Sequence, residues 1–205
     1  MPARSRVTRE GIVEAAAALI REAGASALTF QALGDRLGVS KQAIIYWFPS
    51  KADLTQAMVL PALQQEADAV RAALVRTRSA RKGIEIFLRT LIAFHRGDLA
   101  RFRLIYVSAQ YDLGAWQAAE LPALADSIHA ATGPMYGALE AVLVAAPDFD
   151  TRRSARQTAV AAHMAAIGLL SMLSLADAIH DPMAHTSEEL IEALIALATG
   201  RVLAT

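Results

Sequence analysis

The residues best suited to binding chemistry lie in one short stretch, Ser40-Lys41-Gln42-Ala43. There a hydroxyl, a cation, an amide and a small side chain follow one another. The hydroxyl and the cation can contact phosphate oxygens, and the amide can form paired hydrogen bonds with a base edge. Such groups are effective in the first turn of a helix, because that turn enters the major groove of DNA in helix-turn-helix proteins. The pattern indicates a DNA-reading helix that begins at Ser40.

The flanking residues predict two short helices joined by a tight turn. Thr29 is a typical N-cap, and apolar residues follow it at the spacing of one helix face. Gly38 comes directly after this helix, where a residue that tolerates positive φ is favoured. Ile44 and Phe48 lie four apart in the second helix and can face inward, and Pro49 stops that helix. This arrangement is typical of a helix-turn-helix; the alternative is a plain helical hairpin in an all-α protein.

Residues 8–54 resemble the DNA-binding domain of the TetR family of transcriptional regulators, without a gap. The matching positions are Thr8, Gly24, Leu28, Thr29, Leu33, Gly34, Gly38, Val39, Ser40, Ile44, Tyr46, Phe48, Ser50, Lys51 and Leu54. Two positions depart from the family pattern. Ile45 occupies the place of a usual tyrosine that touches a phosphate, and Trp47 that of a histidine or tyrosine. The resemblance implies a C2 dimer and a phosphate contact by Lys51.

We expect the DNA contacts to come from the two helices and the start of the next one. Thr29, Ser40 and Lys51 would bind phosphates, with help from the tail arginines Arg4, Arg6 and Arg9 or with those arginines simply solvated. Gln42 is suited to adenine and Lys41 to guanine, while Ala43 and Tyr46 can meet thymine methyl groups. The predicted DNA-binding residues are Thr29, Ser40, Lys41, Gln42, Ala43, Tyr46, Trp47 and Lys51.

Composition predicts an all-α protein without cysteine chemistry. The chain has 205 residues, 20 basic and 20 acidic side chains and no cysteine. Zero net charge means that any DNA affinity must come from local charge. Alanine and leucine dominate, which favours helices. We expect a helix-turn-helix domain in residues 1–50 and a larger helical ligand-binding and dimerisation domain in 51–205. Since no signal peptide is visible and the apolar stretch 164–176 looks too short to span a bilayer, we expect a cytoplasmic protein without membrane contact.

Periodicity predicts the remaining helices. Thr8 and Gly24 bound the first, and Ser50 with Asp53 forms a capping box for the fourth. We expect that fourth helix to reach about Arg76, with a break or kink at Pro61. Further helices are expected at 79–96, 99–110, 122–146 with a break or kink at Gly133-Pro134, from Asp150 or Thr151 to about 179, and from a Ser187 cap to Gly200, with a connection at 111–116.

The last two helices predict a homodimer. The stretch 159–178 is rich in alanine and apolar almost all round, so one of its faces cannot simply meet water. The final helix is similar. The alternative is that both are core helices of a monomer. A dimer also suits DNA reading, because two half-sites about one helical turn or more apart form a palindromic operator.

Aromatic and sulfur-containing side chains in the middle helices predict a cavity for a small apolar or amphipathic ligand. Each of them alone is more often ordinary core. Tyr106, Tyr136 and His163 are the expected polar contacts. The predicted ligand-binding residues are Phe87, Leu91, Phe94, Phe102, Tyr106, Trp116, Met135, Tyr136, His163 and Met164.

These features favour a dimeric transcriptional repressor that a small molecule releases from its operator. One alternative is an all-α enzyme or carrier in which the helix-turn-helix is scaffold, and another is a helical module that binds protein. The sequence contains no nucleophile elbow, glycine-rich phosphate loop or paired carboxylate motif. No His pair has metal-ligand spacing on a helix. We therefore expect no catalytic residues, no metal and no cofactor.

Overall fold

The computed structural model describes residues 7–108, 121–150 and 152–200, and within these ranges it is helical and without strands. The first three helices are α1 (Arg9–Ala23), α2 (Phe30–Leu37) and α3 (Lys41–Trp47), with a 3-10 turn at Ala25–Ala27. The predicted three-helix unit and the all-α class are confirmed.

Hydroxyl caps and one tight turn define the helix-turn-helix. The side chains of Thr8, Thr29 and Ser40 each accept a hydrogen bond from a first-turn amide of the helix that follows. Gly38 ends α2 with φ 67°, in the left-handed region that favours glycine. An ideal Cβ on Gly34 would lie 2.8 Å from the carbonyl oxygen of Val39, so α2 approaches the turn too closely for any other residue.

The remaining helices form a layered bundle. They are α4 (Lys51–Leu74), α5 (Ala80–Arg96), α6 (Leu99–Phe102), which continues as a π-helical segment at Arg103–Ser108, then α7 (Leu121–Ala145), α8 (Ala155–Ile179) and α9 (Ser187–Thr199). Helix α4 packs along α7 and α5, α8 packs against α5 and α7, and α9 covers α5 and α8.

Of the two alternatives expected at each proline, a break or a kink, the break is wrong. Pro61 lies inside a continuous α4 and Pro134 inside a continuous α7. Both prolines are exposed, so water can solvate the carbonyl that each one leaves without its amide partner. Burial of the flanking turns, such as Met58 and Leu63 in α4 or Ala131 and Met135 in α7, outweighs the lost hydrogen bond.

Several predicted helix ends also differ. Helix α4 ends at Leu74, and the predicted 99–110 helix is a short α6 followed by π-helix. Helix α8 begins after Ser154, which caps it, while Asp150 pairs with Arg152 instead. Helix α9 is capped by Thr186, whose capping box with Glu189 leaves Ser187 inside the helix. The predicted connection at 111–116 lies outside the described residues.

Two hydrophobic clusters share α4. The first four turns of α4, including Leu54, Met58 and Leu63, pack with α1, α2 and α3. Its later residues Ala67, Val70 and Leu74 pack with the larger bundle. The N-terminal cluster also takes in Leu104 and Ile105 of the π-helical segment and Ala131 of α7. The predicted domain boundary at residue 50 stays a prediction, because α4 belongs to both cores.

Replacing Gly34 by alanine should destabilise the protein by about 1–3 kcal/mol, because the new methyl group overlaps the Val39 carbonyl. The matched control is Gly137→Ala in the interior of α7, where an ideal Cβ meets nothing within 4 Å. There alanine should be neutral or stabilise by up to ~1 kcal/mol through helix propensity. Urea unfolding of both variants measures the effects. Equal stability of the two variants would contradict the close approach.

Candidate DNA-binding surface and ligand cavity

Helix α3 has one buried and one exposed face. Ile44 and Phe48 are fully buried against α1, α2 and α4. Lys41 and Gln42 are exposed, and Tyr46 is 81% exposed. Its polar first turn therefore projects from the domain while its apolar residues anchor it. The helix can enter a groove without unfolding any part of the core.

The other predicted DNA contacts border this face. Thr29 Oγ1 accepts from Ala32 N at 3.0 Å and Ser40 Oγ from Ala43 N at 3.3 Å, and each hydroxyl keeps its own proton for a phosphate. Ala43 is half-buried. Lys51 is half-buried in the first turn of α4, where Ser50 and Asp53 complete the predicted capping box.

The two departures from the family pattern are also placed. Trp47 is 40% exposed and meets the Tyr46 ring edge-on at a centroid distance of 5.7 Å. Ile45 is half-buried. Arg9 is the first residue of α1 and lies over the Phe48 ring at 4.9 Å, so it belongs to the domain rather than to a solvated tail. Arg4 and Arg6 lie outside the described residues.

A cavity of about 690 Å³ lies between α4, the π-helical segment, α7 and α8. This volume suits a drug-sized ligand. The lining residues are Thr55, Gln56, Val59, Leu60, Leu63, Ile105, Tyr106, Leu124, Ile128, His129, Thr132, Tyr136, Arg156, Val160 and His163. Aliphatic side chains make up most of the wall, and polar groups gather near His163.

Three of the predicted ligand residues, Tyr106, Tyr136 and His163, line this cavity together. The other predicted positions lie elsewhere: Phe87, Leu91, Phe102 and Met135 are fully buried in the larger core, Phe94 is half-buried beside Arg101, and Met164 is 70% exposed. Trp116 lies outside the described residues. The presence of aromatic residues alone does not predict whether a helix face packs into the core or lines a cavity.

Sequence reasoning missed the contribution of α4. Gln56, Val59, Leu60 and Leu63 follow one helix face toward the cavity. This spacing was available as a signal, although it cannot distinguish a cavity wall from packed core. Arg156 was also missed as a cavity residue, because it follows two other arginines at the start of the predicted helix.

A buried carboxylate organises the polar end of the cavity. Glu66 of α4 is fully buried and accepts a hydrogen bond from the Tyr106 hydroxyl at 2.8 Å. His95 Nε2 lies 3.1 Å from Glu66 Oε2, and His163 Nε2 lies 3.4 Å from Oε1. On its other side, His163 Nδ1 meets the Tyr136 hydroxyl. One carboxylate thereby connects α4 with α5, α8 and the π-helical segment, and through His163 with α7.

Electrostatics keep this carboxylate ionised. Burial alone would raise the pKa of Glu66, but hydrogen bonds and positive charge from His163 and His95 outweigh it and lower the pKa to about 2. Burial and the nearby Glu66 charge raise the pKa of Tyr136 to about 12, and the same causes raise the pKa of Tyr106. Both phenols therefore stay protonated and can donate hydrogen bonds.

Helix α8 carries an exposed apolar stripe on the side away from the core. The residues at helical spacing are Met164, Gly168, Met172, Leu175 and Ile179, and Leu197 of α9 is 82% exposed. At 25 residues, α8 is long and apolar enough to cross a membrane by length and composition, and the stretch 164–176 that was expected to be too short is only part of it. Core helices of soluble proteins pass the same test, and the opposite face of α8, including Ala159 and Leu170, is buried in the bundle.

Residues 12–58 match the family model described as bacterial regulatory proteins, tetR family. The N-terminal domain is that of the TetR family. Among solved structures, the TetR/AcrR family regulator from Thermobifida fusca is 21% identical, with 93% of this chain and 96% of that chain covered and a TM-score of 0.66. The TetR family transcriptional regulator PfmR from Thermus thermophilus is 22% identical, with 94% and 99% covered and a TM-score of 0.63.

The regulator FadR from Bacillus subtilis, solved in complex with stearoyl-CoA, is 13% identical, with 96% of this chain and 100% of that chain covered and a TM-score of 0.71. These likenesses extend the TetR-like fold over the helical C-terminal domain. A comparison with curated protein sequences gave no match. Residues 12–58 are therefore assigned as a DNA-binding domain of TetR type, with a helix-turn-helix formed by α2 and α3.

Replacing Glu66 by glutamine should destabilise the protein by about 2–3 kcal/mol at neutral pH, since the folded state holds the pKa of this carboxyl near 2 against an ordinary 4.5. A lowered pKa stabilises the fold above about pH 4.5 and ceases to do so as pH falls toward 2. The difference between wild type and variant should therefore shrink on acidification. Urea unfolding over a pH series measures it, with exposed Asp68→Asn on the same helix as control. A difference that stays constant with pH would contradict the ionised pair.

Proposed function

We propose that this protein is a dimeric repressor that a small-molecule ligand releases from its operator. The observation that carries the proposal is the position of α4. Its first turn packs under the helix-turn-helix, and Thr55, Gln56, Val59, Leu60 and Leu63 form one wall of the cavity. A ligand in the cavity therefore touches the same helix that supports α3.

Reading of DNA would come from the exposed first turn of α3. Lys41 and Gln42 project from the domain at the place where base edges would lie, with Tyr46 one turn further along. Thr29, Ser40 and Lys51 border this face and would bind phosphates, while Ala43 would meet a thymine methyl group and Trp47 would contribute packing or an indole N–H. One such helix reads only a few base pairs, so two copies on a palindromic operator are needed for specificity.

The second copy would bind through α8 and α9. The exposed stripe of Met164, Met172, Leu175 and Ile179 runs along the C-terminal part of α8, and Leu197 of α9 is also exposed. Contiguous apolar surface of this kind marks protein interfaces. Pairing α8 and α9 with their copies would form a four-helix interface and hold two α3 helices at a fixed separation. The protein would act in the cytoplasm, where its DNA target lies.

Release would follow from unequal affinity of the ligand for two positions of α4. A coupling free energy of about 1–3 kcal/mol is ordinary for such allostery and would reduce operator affinity roughly 5- to 150-fold. The stearoyl-CoA complex of FadR supports a ligand-binding role for this fold. The polar groups Tyr136 and His163 would then be ligand contacts rather than catalytic residues.

Substituting Lys51→Ala should weaken binding to every DNA sequence and reduce the salt dependence by about one unit, because one phosphate contact is lost. Gln42→Ala should relax base preference at one position at a cost of about 1–3 kcal/mol there. The measurements are gel retardation with DNA that flanks the gene, selection of bound sites from random DNA, and a salt series. Lys82→Ala in α5, far from α3, is the control. An unchanged salt slope would refute the phosphate role of Lys51, and an unchanged selected site would refute base reading by Gln42.

Substituting Met172→Glu should dissociate the dimer, because a carboxylate in the middle of the α8 stripe would be buried without a partner. Analytical ultracentrifugation of wild type and variant measures this, and the operator affinity of the variant should fall with it. Val144→Glu serves as control, since Val144 is 73% exposed on α7, away from the stripe. A wild-type protein that sediments as a monomer would contradict the dimer.

A further inference from the structure

The charged side chains that line the cavity indicate the chemical class of its ligand. Among the described residues of its wall, Arg156 carries the one permanent charge, and none is a carboxylate. Glu66 lies behind the wall, fully buried, and its oxygens are already within hydrogen-bonding range of Tyr106 and His95 and close to His163. The described wall residues therefore present one cation and no carboxylate, and Glu140, which pairs with Arg156, lies outside the wall.

Arg156 and Tyr136 are held together at one point of the wall. The Arg156 guanidinium carbon lies 5.0 Å from the centroid of the Tyr136 ring, a cation–π contact. Its ion pair with Glu140 is long, at 3.6 Å, which leaves guanidinium donors for a second acceptor. The stacking places the guanidinium beside the phenol, so one carboxylate can accept hydrogen bonds from both groups.

The rest of the wall accepts an apolar body. Val59, Leu60 and Leu63 of α4 line the cavity together with Leu124 and Ile128 of α7. Burial of apolar ligand surface there contributes roughly 25 cal/mol per Å². The wall thus combines an aliphatic channel with a single cationic end.

From this combination, and resting on the proposed function, we infer that the ligand is an apolar carboxylate whose anionic group binds Arg156 and Tyr136. Its hydrocarbon part lies between α4 and α7. The ligand charge is thereby bound by Arg156 of α8 and Tyr136 of α7, whereas α7 and α4 contact the hydrocarbon part. The contact with α4 is made by the hydrocarbon part alone.

The Tyr136 hydroxyl can donate to the anion beside its contact with His163. In the structure it lies within hydrogen-bonding distance of His163 Nδ1. When His163 is charged, Nδ1 donates to the phenol oxygen and leaves the phenol proton for the anion, and a hydrogen bond to a carboxylate is roughly twice as strong as one between neutral groups. An alcohol would gain no such charge assistance, and an amine would place a second cation beside Arg156.

The test compares molecules of equal length that differ in one group. Sodium decanoate, decanol and decylamine, and the phenyl series phenylbutyrate, phenylbutanol and phenylbutylamine, are titrated into the full-length protein by calorimetry below their aggregation concentrations. In at least one series the acid should bind about tenfold or more tightly than its alcohol, and the amine should bind most weakly. Equal or tighter binding of alcohol or amine in both series, or no binding by either acid, would overturn the inference.

Variants separate the charge from the fold of the cavity. Arg156→Gln should weaken acid binding about tenfold and leave alcohol binding unchanged, and Arg156→Lys should restore part of the loss. Tyr136→Phe should also weaken the acid selectively. Arg153→Gln removes a neighbouring exposed cation outside the cavity and is the control. A loss of acid and alcohol binding by equal factors in Arg156→Gln, with the fold intact by circular dichroism, would overturn the role of Arg156.

Failure of this inference and failure of the proposed function are distinguishable. If neither acid binds, but another compound releases the operator in gel retardation, the ligand class is wrong and the repressor remains. If the acids bind with the expected ranking and the operator complex is unaffected by saturating acid, the ligand class is supported and ligand release is refuted.

Discussion

The burial of α4 in two hydrophobic cores is the constraint on which the rest of the structure depends. Its first turns complete the core of the N-terminal domain, and its later turns complete the core of the bundle. A helix this long can tilt or shift as a body more easily than it can bend, since its packed core has discrete low-energy arrangements. Two structural units that share one rigid element cannot adjust independently. Mechanical coupling between DNA-binding and ligand-binding regions is therefore a property of the packing itself.

Glu66 adds directional specificity to this packing. A lone ionised carboxylate in the interior would cost several kcal/mol, and only surrounding donors make it tolerable. Tyr106, His95 and His163 supply those donors from three separate helical segments. Apolar contacts permit small rotations of α4 about its own axis. The polar contacts of Glu66 favour a single orientation of α4 and a single position along its neighbouring helices. The arrangement places a stability-critical group directly behind the residues that face the cavity.

Local signals in the sequence predicted local structure well. The caps at Thr8, Thr29 and Ser40 and the turn at Gly38 depend on residues within a few positions of each other, so the sequence contains the whole cause. Pro61 and Pro134 misled the prediction because tertiary burial of neighbouring turns decides whether a helix continues through a proline. The exposed face of α3 with Lys41, Gln42 and Tyr46 followed from the same local pattern.

The cavity was predicted only in part for a related reason. Whether an aromatic residue such as Phe87 or Tyr136 faces a void depends on the rotation of a helix against three neighbours, which no short window contains. Aromatic residues that carry a polar group were predicted better, since Tyr106, Tyr136 and His163 all line the cavity. Arg156 was hidden because a run of arginines at a helix start ordinarily means a solvated surface.

The uncovered stripe on α8 has a consequence for how the regulator would behave in a living cell. If function requires two copies, the amount of assembled species rises with the square of protomer abundance while protomers are scarce, by mass action. Control of the target would then respond steeply to modest changes in synthesis or degradation of this chain. A newly made, solitary protomer would also present Met164, Met172 and Ile179 to solvent and to other proteins. Gene dosage and turnover would thus become regulatory inputs alongside the ligand.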